Sequence, residues 1–151
     1  MRIVKKCTTM KVYIASDHAG FELKEAIKQH FSAQYEWVDF GTHSSESVDY
    51  PDFAHPLAEA VSKDPAARAI LICGTGNGVA MTANKHANVR AALCWDHEIA
   101  ALARQHNNAN VLVMPARFIL PETAFDLVET FFSTDFEGGR HERRVEKINL
   151  R

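Results

Sequence analysis

Ile70-Leu71-Ile72-Cys73-Gly74-Thr75-Gly76-Asn77-Gly78 is an apolar run that ends in a thiol and passes at once into three glycines at alternate positions. The run reads as a buried strand, and the glycines as the tight turn that leads from a strand into a helix. Glycines so spaced let backbone N–H groups converge on an anion. A helix from Val79 to about Ala87 would aim the positive end of its dipole at the same place. Such surroundings suit a negatively charged sulfur. Two readings stay open on this stretch alone: Cys73 is a small buried hydrophobe above a turn, or it is a reactive thiol in an anion cradle.

Three familiar motifs come close to the loop, and each fails at one position. A cysteine-dependent phosphatase loop closes with an arginine that holds the phosphoryl group, and that place is Val79. A P-loop ends in Gly-Lys-Ser/Thr, where the chain reads Gly78-Val79-Ala80. A dinucleotide fingerprint would need its third glycine at Val79 or Met81, although Asp96 does stand at the end of the next strand, where a ribose-binding carboxylate would go.

Outward from this unit, apolar runs alternate with amphipathic segments five times. Strand one is Lys11 to Ala15, followed by the turn Ser16 to Gly20 and a helix with Leu23, Ile27 and Phe31 on one face. Strand two is Glu36 to Phe40. A polar loop from Gly41 to Pro51 leads to a helix burying Phe53, Leu57 and Val61, with Pro56 near its first turn, where a missing N–H is tolerated. Strand three is Ala69 to Cys73. Strand four is Ala91 to Trp95, after which Asp96 caps a helix with Ile99, Leu102 and Ala103. Strand five is Val111 to Met114, and its helix starts near Pro121 and buries Phe125, Val128 and Phe132. Glu137-Gly138-Gly139 interrupts the pattern before a last helix, Arg140 to Leu150.

Parallel strands need crossover helices, and those crossovers are right-handed. The pattern therefore predicts a three-layer, doubly wound α/β fold of Rossmann or flavodoxin-like type. It has a five-stranded parallel sheet of order 2-1-3-4-5 and an extra C-terminal helix. In that order the winding reverses between strands one and three, and ligands bind at the carboxyl ends of those strands. Asp17, His18 and Cys73 are expected to meet there.

The chain has 151 residues, 46% of them hydrophobic, which fits one domain. A formal net charge of −2 gives no reason to expect nucleic acid, although residues 140–151 are locally basic. No run approaches the roughly 18 apolar residues of a membrane span, and Met1 to Thr9 lacks the apolar core of a signal peptide. Cys7, Cys73 and Cys94 are odd in number and include no C-x-x-C, so neither a disulfide framework nor a zinc ribbon is indicated. A reducing cytoplasm is the expected compartment.

Other residues are ambiguous by themselves. His106 precedes strand five, where a histidine commonly serves the helix C-terminus. This turn lies at the amino end of the sheet, opposite Cys73, so joint action would need a second subunit. Arg117 follows strand five. Arg140 and Arg144 share one face of the last helix and could either clamp a phosphate dianion or form a solvated basic face. His30, His43, His55, His86 and His97 show no metal-ligand spacing and are read as solvent-facing or packing residues.

Several separated motifs occur together: Asp17-His18-Ala19-Gly20, Val48-Asp49-Tyr50-Pro51-Asp52, Ile72 to Gly78, Ala83-Asn84-Lys85, Arg90-Ala91-Ala92, Gln105-His106-Asn107, Asn110-Val111-Leu112 and Glu137-Gly138-Gly139-Arg140-His141. In this order they closely resemble the ribose-5-phosphate isomerase B family, which also includes galactose-6-phosphate isomerase subunits. The resemblance spans about Lys11 to Ile148. Met1 to Thr9 lies outside it as an N-terminal extension, and Met10 is an alternative start.

The resemblance implies interconversion of D-ribose 5-phosphate and D-ribulose 5-phosphate, a step of the pentose phosphate pathway, without metal or organic cofactor. It also implies a homodimer with sites at the subunit interface, sometimes paired into tetramers. Cys73 is then the base between C2 and C1, His106 the residue that assists furanose opening, and Asp17 the carboxylate beside the ring oxygen. Tyr50 and Asn107 match substrate-contacting positions, and His18, Arg117, Arg140 and Arg144 the phosphate set. Some members carry a glutamate at the place of Val79 and lack the cysteine; this chain is similar to the cysteine-dependent type. Ser16 stands where many relatives have cysteine.

The chemistry agrees with this assignment. Aldose–ketose isomerisation needs a base near both carbons, donors for an enediolate oxygen, and a route to the open-chain sugar. The N–H groups of Gly74 through Gly78 are the expected enediolate donors, with the side chains of Thr75 or Asn77 as additional donors. Two other readings compete: an isomerase of a six-carbon sugar phosphate such as galactose 6-phosphate or allose 6-phosphate, and a non-enzymatic flavodoxin-like module that binds phosphate or a nucleotide.

Overall fold

The computed structural model of the chain describes residues 9–149. Cys7, the rest of the N-terminal extension before Thr9, and Leu150 lie outside the described residues. In chain order, β1 is Met10–Ser16, a 3-10 turn spans His18–Gly20, and α1 is Phe21–His30. β2 is Tyr35–Asp39 and α2 Pro51–Lys63; β3 is Ala69–Cys73 and α3 Asn77–Ala83; β4 is Ala91–Leu93 and α4 His97–Asn107. β5 is Val111–Pro115, α5 Pro121–Ser133 and α6 Arg140–Glu146. Among the described residues, no helix is long and apolar enough to cross a membrane.

Local chemistry accounts for most of these boundaries. Asp96 accepts from the Ile99 N–H at 2.9 Å, satisfying one of the unpaired amides that open α4. α2 starts at Pro51, whose fixed φ suits a first helical position. Pro56 then falls inside the helix rather than in its first turn, on an exposed position where the lost backbone bond meets water. α3 stops at Ala83, short of Ala87, because Asn84 turns to pair with β4: its Nδ2 donates to Ala91 O at 2.9 Å and its Oδ1 accepts from Ala91 N at 2.8 Å.

All strands are parallel, but the order is β2-β1-β3-β5-β4, so the expected 2-1-3-4-5 is corrected at its last two places. β5 is buried along its whole length, whereas β4 is three half-buried residues that end before the exposed Trp95. Only a strand apolar on both faces can stand inside a sheet covered on both sides. The long apolar strand therefore takes the inner place and the short one the edge. The expected order had assumed that successive units advance in one direction.

The correction moves a helix. With right-handed crossovers, stepping back from β4 to β5 puts α4 on the face that holds α1 and α5, leaving α2 and α3 on the other. The core divides accordingly. Ile70, Ile72, Leu112 and Met114 pack with Leu23, Ile27, Leu127 and Phe131, while Leu71, Cys73 and Val113 pack with Leu57, Val61 and Val79. Cys73 thus belongs to the α2/α3 side. The reversal between β1 and β3 is kept, and it fixes where their carboxyl ends open.

Candidate active site

The carboxyl ends of β1, β3 and β5 converge. The Asp17 N–H donates to Ile72 O at 3.3 Å, Ala116 N–H to Cys73 O at 2.9 Å and Arg117 N–H to Gly74 O at 3.1 Å. Cys73 is 5% exposed, and its Sγ accepts from the Gly76 N–H at 3.1 Å. The Asn77 N–H turns to Thr75 Oγ1 at 3.3 Å. Two amides expected to face a substrate oxygen are therefore directed at side chains of their own loop. Those of Gly74, Thr75 and Gly78 have no backbone acceptor among the described residues.

Gly76 makes the turn possible. Its φ of +77° is a left-handed conformation, and a Cβ there would collide with the Leu93 side chain. The side chains around the loop come from three directions. The Arg117 guanidinium lies across Gly74, so close that a Cβ there would stand 3.2 Å from its Nη1. The Tyr50 ring covers Gly78, where a Cβ would stand 2.6 Å from Cζ. Asp17, nearly buried, uses Oδ1 to accept from the Gly20 N–H at 3.1 Å. His18 Nδ1 accepts from the Val48 N–H at 3.1 Å. That bond places the lone pair on Nδ1 and the proton of a neutral ring on Nε2. It also ties the loop carrying Tyr50 to the end of β1.

A charged cluster braces this loop from behind. Lys24, wholly buried, donates to Asp39 Oδ2 at 2.6 Å; Lys28 reaches the same oxygen at 2.8 Å, and the Gly41 N–H donates to Asp39 Oδ1 at 2.8 Å. Burial works to raise Asp39, but the bonds from Lys24, Lys28 and Gly41 outweigh it and hold its carboxyl below the usual range. Nearby, Ser16 Oγ is buried without a hydrogen-bond partner among the described residues.

The other candidates stand at the opposite end of the sheet. His106 and Asn107 close α4, before the amino end of β5, and Arg140 and Arg144 are exposed on α6. Three consecutive residues of α4 are tied to the segment after α5. Arg104 Nε donates to Thr134 O at 3.1 Å, the Glu137 N–H donates to Gln105 O at 3.1 Å, and the His106 ring stacks on His141 with centroids 4.2 Å and planes 13° apart. Burial, with Arg68 and Arg90 nearby, pushes the Arg104 guanidinium down to about 10. Within one chain, then, the structure brings together Asp17, His18, Tyr50, Cys73 to Gly78 and Arg117. It separates them from His106, Asn107, Arg140 and Arg144.

Sequence reasoning gave no role to Val48, Lys24, Asp39, Glu137 or His141, although Val48, Glu137 and His141 stand in the motifs quoted above. Val48 acts through its amide, which no side-chain pattern reveals. Glu137 and His141 are four apart, but two glycines intervene, so helical spacing does not pair them. The ligand atoms of His106, Glu137 and His141 lie within 4.8 Å of one another, a spacing at which a metal ion could be held. The two imidazole planes are nearly parallel, however, so their in-plane lone pairs do not converge and one ring would have to turn. Of the remaining histidines, His55 Nδ1 meets His86 Nε2 at 2.7 Å, His97 Nδ1 meets Asp126 at 3.0 Å, and His30 stacks on Phe125.

Comparison with known proteins bears on this arrangement. Residues 12–148 match the Ribose/Galactose Isomerase family. The probable ribose-5-phosphate isomerase B of Mycoplasma pneumoniae is 48% identical over 139 residues, 91% of each chain. The crystal structure of a ribose 5-phosphate isomerase from Thermotoga maritima is 52% identical with a TM-score of 0.90, covering 93% of this chain and 97% of that one. Ribose-5-phosphate isomerase B from Mycoplasma genitalium, solved with bound ribulose-5-phosphate, is 46% identical with a TM-score of 0.89, covering 92% and 93%.

Proposed function

The chain belongs to the ribose/galactose isomerase family, and from that membership we propose that it interconverts D-ribose 5-phosphate and D-ribulose 5-phosphate, with Cys73 as the base. The observation that carries the residue assignment is the Gly76 N–H aimed at Cys73 Sγ, at the carboxyl end of a central strand. An amide donor stabilises the negative charge that a thiolate base carries before it takes a proton.

In this mechanism the furanose opens first. The anomeric hydroxyl gives up its proton, the C1 carbonyl forms, the bond from C1 to the ring oxygen breaks, and that oxygen takes up a proton. His106 assists this step as the proton-transferring group, and Asp17 lies beside the ring oxygen. Cys73 then removes the C2 proton, the electron pair forms an enediolate with its charge on O1, the O2 hydroxyl proton passes to O1, and the same sulfur returns its proton to C1 as the C2 carbonyl forms. Thr75, Asn77 and the amides of Gly74 and Gly78 surround the oxygen on which charge develops; Gly76 serves the sulfur. His18, through Nε2–H, and Arg117, Arg140 and Arg144 hold the phosphate, while Tyr50 and Asn107 contact the sugar. Binding energy from the phosphate orients the reacting end.

This assignment makes the unit of function a homodimer. His106, Asn107, Arg140 and Arg144 of one protomer complete the site built on Cys73 of its partner, because they stand at the other end of their own sheet. Met81, Trp95 and Phe118, at 66%, 52% and 73% exposed, are large apolar groups available for such an interface. A single domain carries the site, and the thiol base suits the reducing cytoplasm, where we place the protein in the pentose phosphate pathway.

The test is turnover of the purified, chelator-treated protein on a panel of five- and six-carbon sugar phosphates. Ribose 5-phosphate should give the highest kcat/KM, and Cys73→Ala should abolish turnover while retaining substrate. Preference for a six-carbon phosphate would overturn the substrate assignment. A fully active Cys73→Ala protein would overturn the base.

A further inference from the structure

We propose that His141 and Glu137 are positioning residues for His106, fixing the plane of its ring and presenting a carboxylate to its Nε2 while it acts on the sugar. The inference rests on the ring-opening role given to His106 above.

A histidine at a helix end is free to turn about its side-chain bonds, and an imidazole that exchanges a proton with a hydroxyl must be held in one plane. Stacking on His141 supplies that restraint. The enclosed ring is the platform and the open ring is the working one: the His141 side chain is 10% exposed, against 37% for His106. The carboxylate stands between them. Glu137 Oε2 lies 4.0 Å from His106 Nε2 and 3.7 Å from His141 Nε2, both beyond hydrogen-bond length, so a small side-chain movement closes it on either ring.

Geometry decides which ring it serves. The charged groups facing the pair are Glu137, Arg140 and Arg144, and burial, then His106 and Arg140, with Arg144 adding to them, hold His141 below the usual histidine range against the opposing pull of Glu137. The more open His106 ring is the one whose Nε2 an exposed carboxylate can reach without entering the core. A bond from His106 Nε2–H to that carboxylate would leave the Nδ1 lone pair to receive a proton and would stabilise the imidazolium that results.

The backbone is built for this placement. The Glu137 amide is fixed to Gln105 O, next to His106, and Gly138 and Gly139 then reverse the chain with φ values of +68° and +55°. At Gly139 the accompanying ψ of −127° is a conformation that side-chain-bearing residues avoid. A Cβ at either glycine would meet nothing within 4 Å. The glycines are thus required by the path of the chain that brings His141 under His106, and not by crowding.

The experiment compares Glu137→Gln, His141→Ala and His141→Phe with wild type, using ribose 5-phosphate and the same sugar deuterated at C2. Glu137 is exposed and its replacement does not threaten folding; alanine at 141 removes the platform, whereas phenylalanine keeps a ring to stack on. If both residues position His106, kcat/KM of Glu137→Gln and His141→Ala falls about tenfold or more, the deuterium isotope effect in these two variants lies close to unity because ring opening limits the rate, and His141→Phe recovers most of the turnover. A full primary isotope effect or wild-type turnover in Glu137→Gln and His141→Ala, or a His141→Phe protein as impaired as His141→Ala, overturns the proposal; should His141→Ala fail to fold, Glu137→Gln alone decides. Absence of ribose 5-phosphate turnover in the wild type would refute the isomerase reading itself, and full activity of His106→Ala would refute the role of His106.

Discussion

The Gly76 amide points at Cys73 Sγ from 3.1 Å, whereas Cys94, which directly follows the edge strand β4 but is fully enclosed, bonds only weakly to Ala92 O at 3.5 Å. Burial, with Asp96 adding to it, pushes the Cys94 thiol up to about 12. Iodoacetamide at neutral pH should therefore alkylate Cys73 well before Cys94, and ribose 5-phosphate should protect Cys73. Peptide mass mapping over time reads both rates. Equal labelling would contradict the difference in environment.

Sharing of the site between protomers is tested by mixing inactive Cys73→Ala and His106→Ala proteins. Random exchange makes half of the dimers hybrids, and each hybrid has one site with both lesions and one with none. About a quarter of wild-type activity should return. No recovery after exchange demonstrated by mass spectrometry would place His106 and Cys73 in separate machinery.

Asp39→Asn should cost about 2 kcal/mol at pH 7, because it puts a neutral amide in place of the shorter ion pair of the wholly buried Lys24 and leaves it only the half-exposed Glu25, at 3.2 Å, as a carboxylate partner. The sign of the pH dependence follows from the lowered carboxyl of the folded state. The stabilisation is complete above the unfolded value and fades as pH falls through the lower folded one. Urea unfolding from pH 7 downwards should show wild type and variant converging at acid pH. A constant gap would remove Asp39 as its source.

Ser16→Ala deletes a buried hydroxyl that has no partner among the described residues. The variant should be more stable by about 1 kcal/mol, a rise in Tm of roughly 3 °C. A lower Tm in calorimetry would show that the hydroxyl is hydrogen-bonded in solution.

Gly78 lies in α3, where alanine is by itself the better helix former. A methyl there would strike the Tyr50 ring, so Gly78→Ala should raise KM for ribose 5-phosphate severalfold while leaving thermal stability little changed. An unchanged KM would take Tyr50 out of the site.

The strand–helix alternation, the Asp96 cap and the meeting of Asp17, His18 and Cys73 were legible because each depends on local pattern or on right-handed crossovers. The place of β5 was not, since strand order is decided by competition for burial: Val111 to Met114 had to be weighed against Ala91 to Leu93 rather than read in turn. At the site, the glycines announced a turn, but the destination of each amide was hidden. Whether the Gly76 N–H faces a ligand or Cys73 Sγ depends on backbone angles that residue types leave open. Likewise, the stack of His106 on His141 follows from a reversal at two glycines, where helical periodicity gives no guidance.

The strand order has a consequence for how the chain is made. β4 pairs only with β5 in this sheet, so when residue 93 leaves the ribosome its strand has nothing to pair with, and the neighbouring edge of β3 stands open as well. Both edges close in one event once Val111–Pro115 has emerged between them. Until then the nascent chain holds an unpaired apolar edge of the kind that associates with other chains. Assembly of this protein is accordingly most vulnerable in the interval between its fourth strand and its fifth.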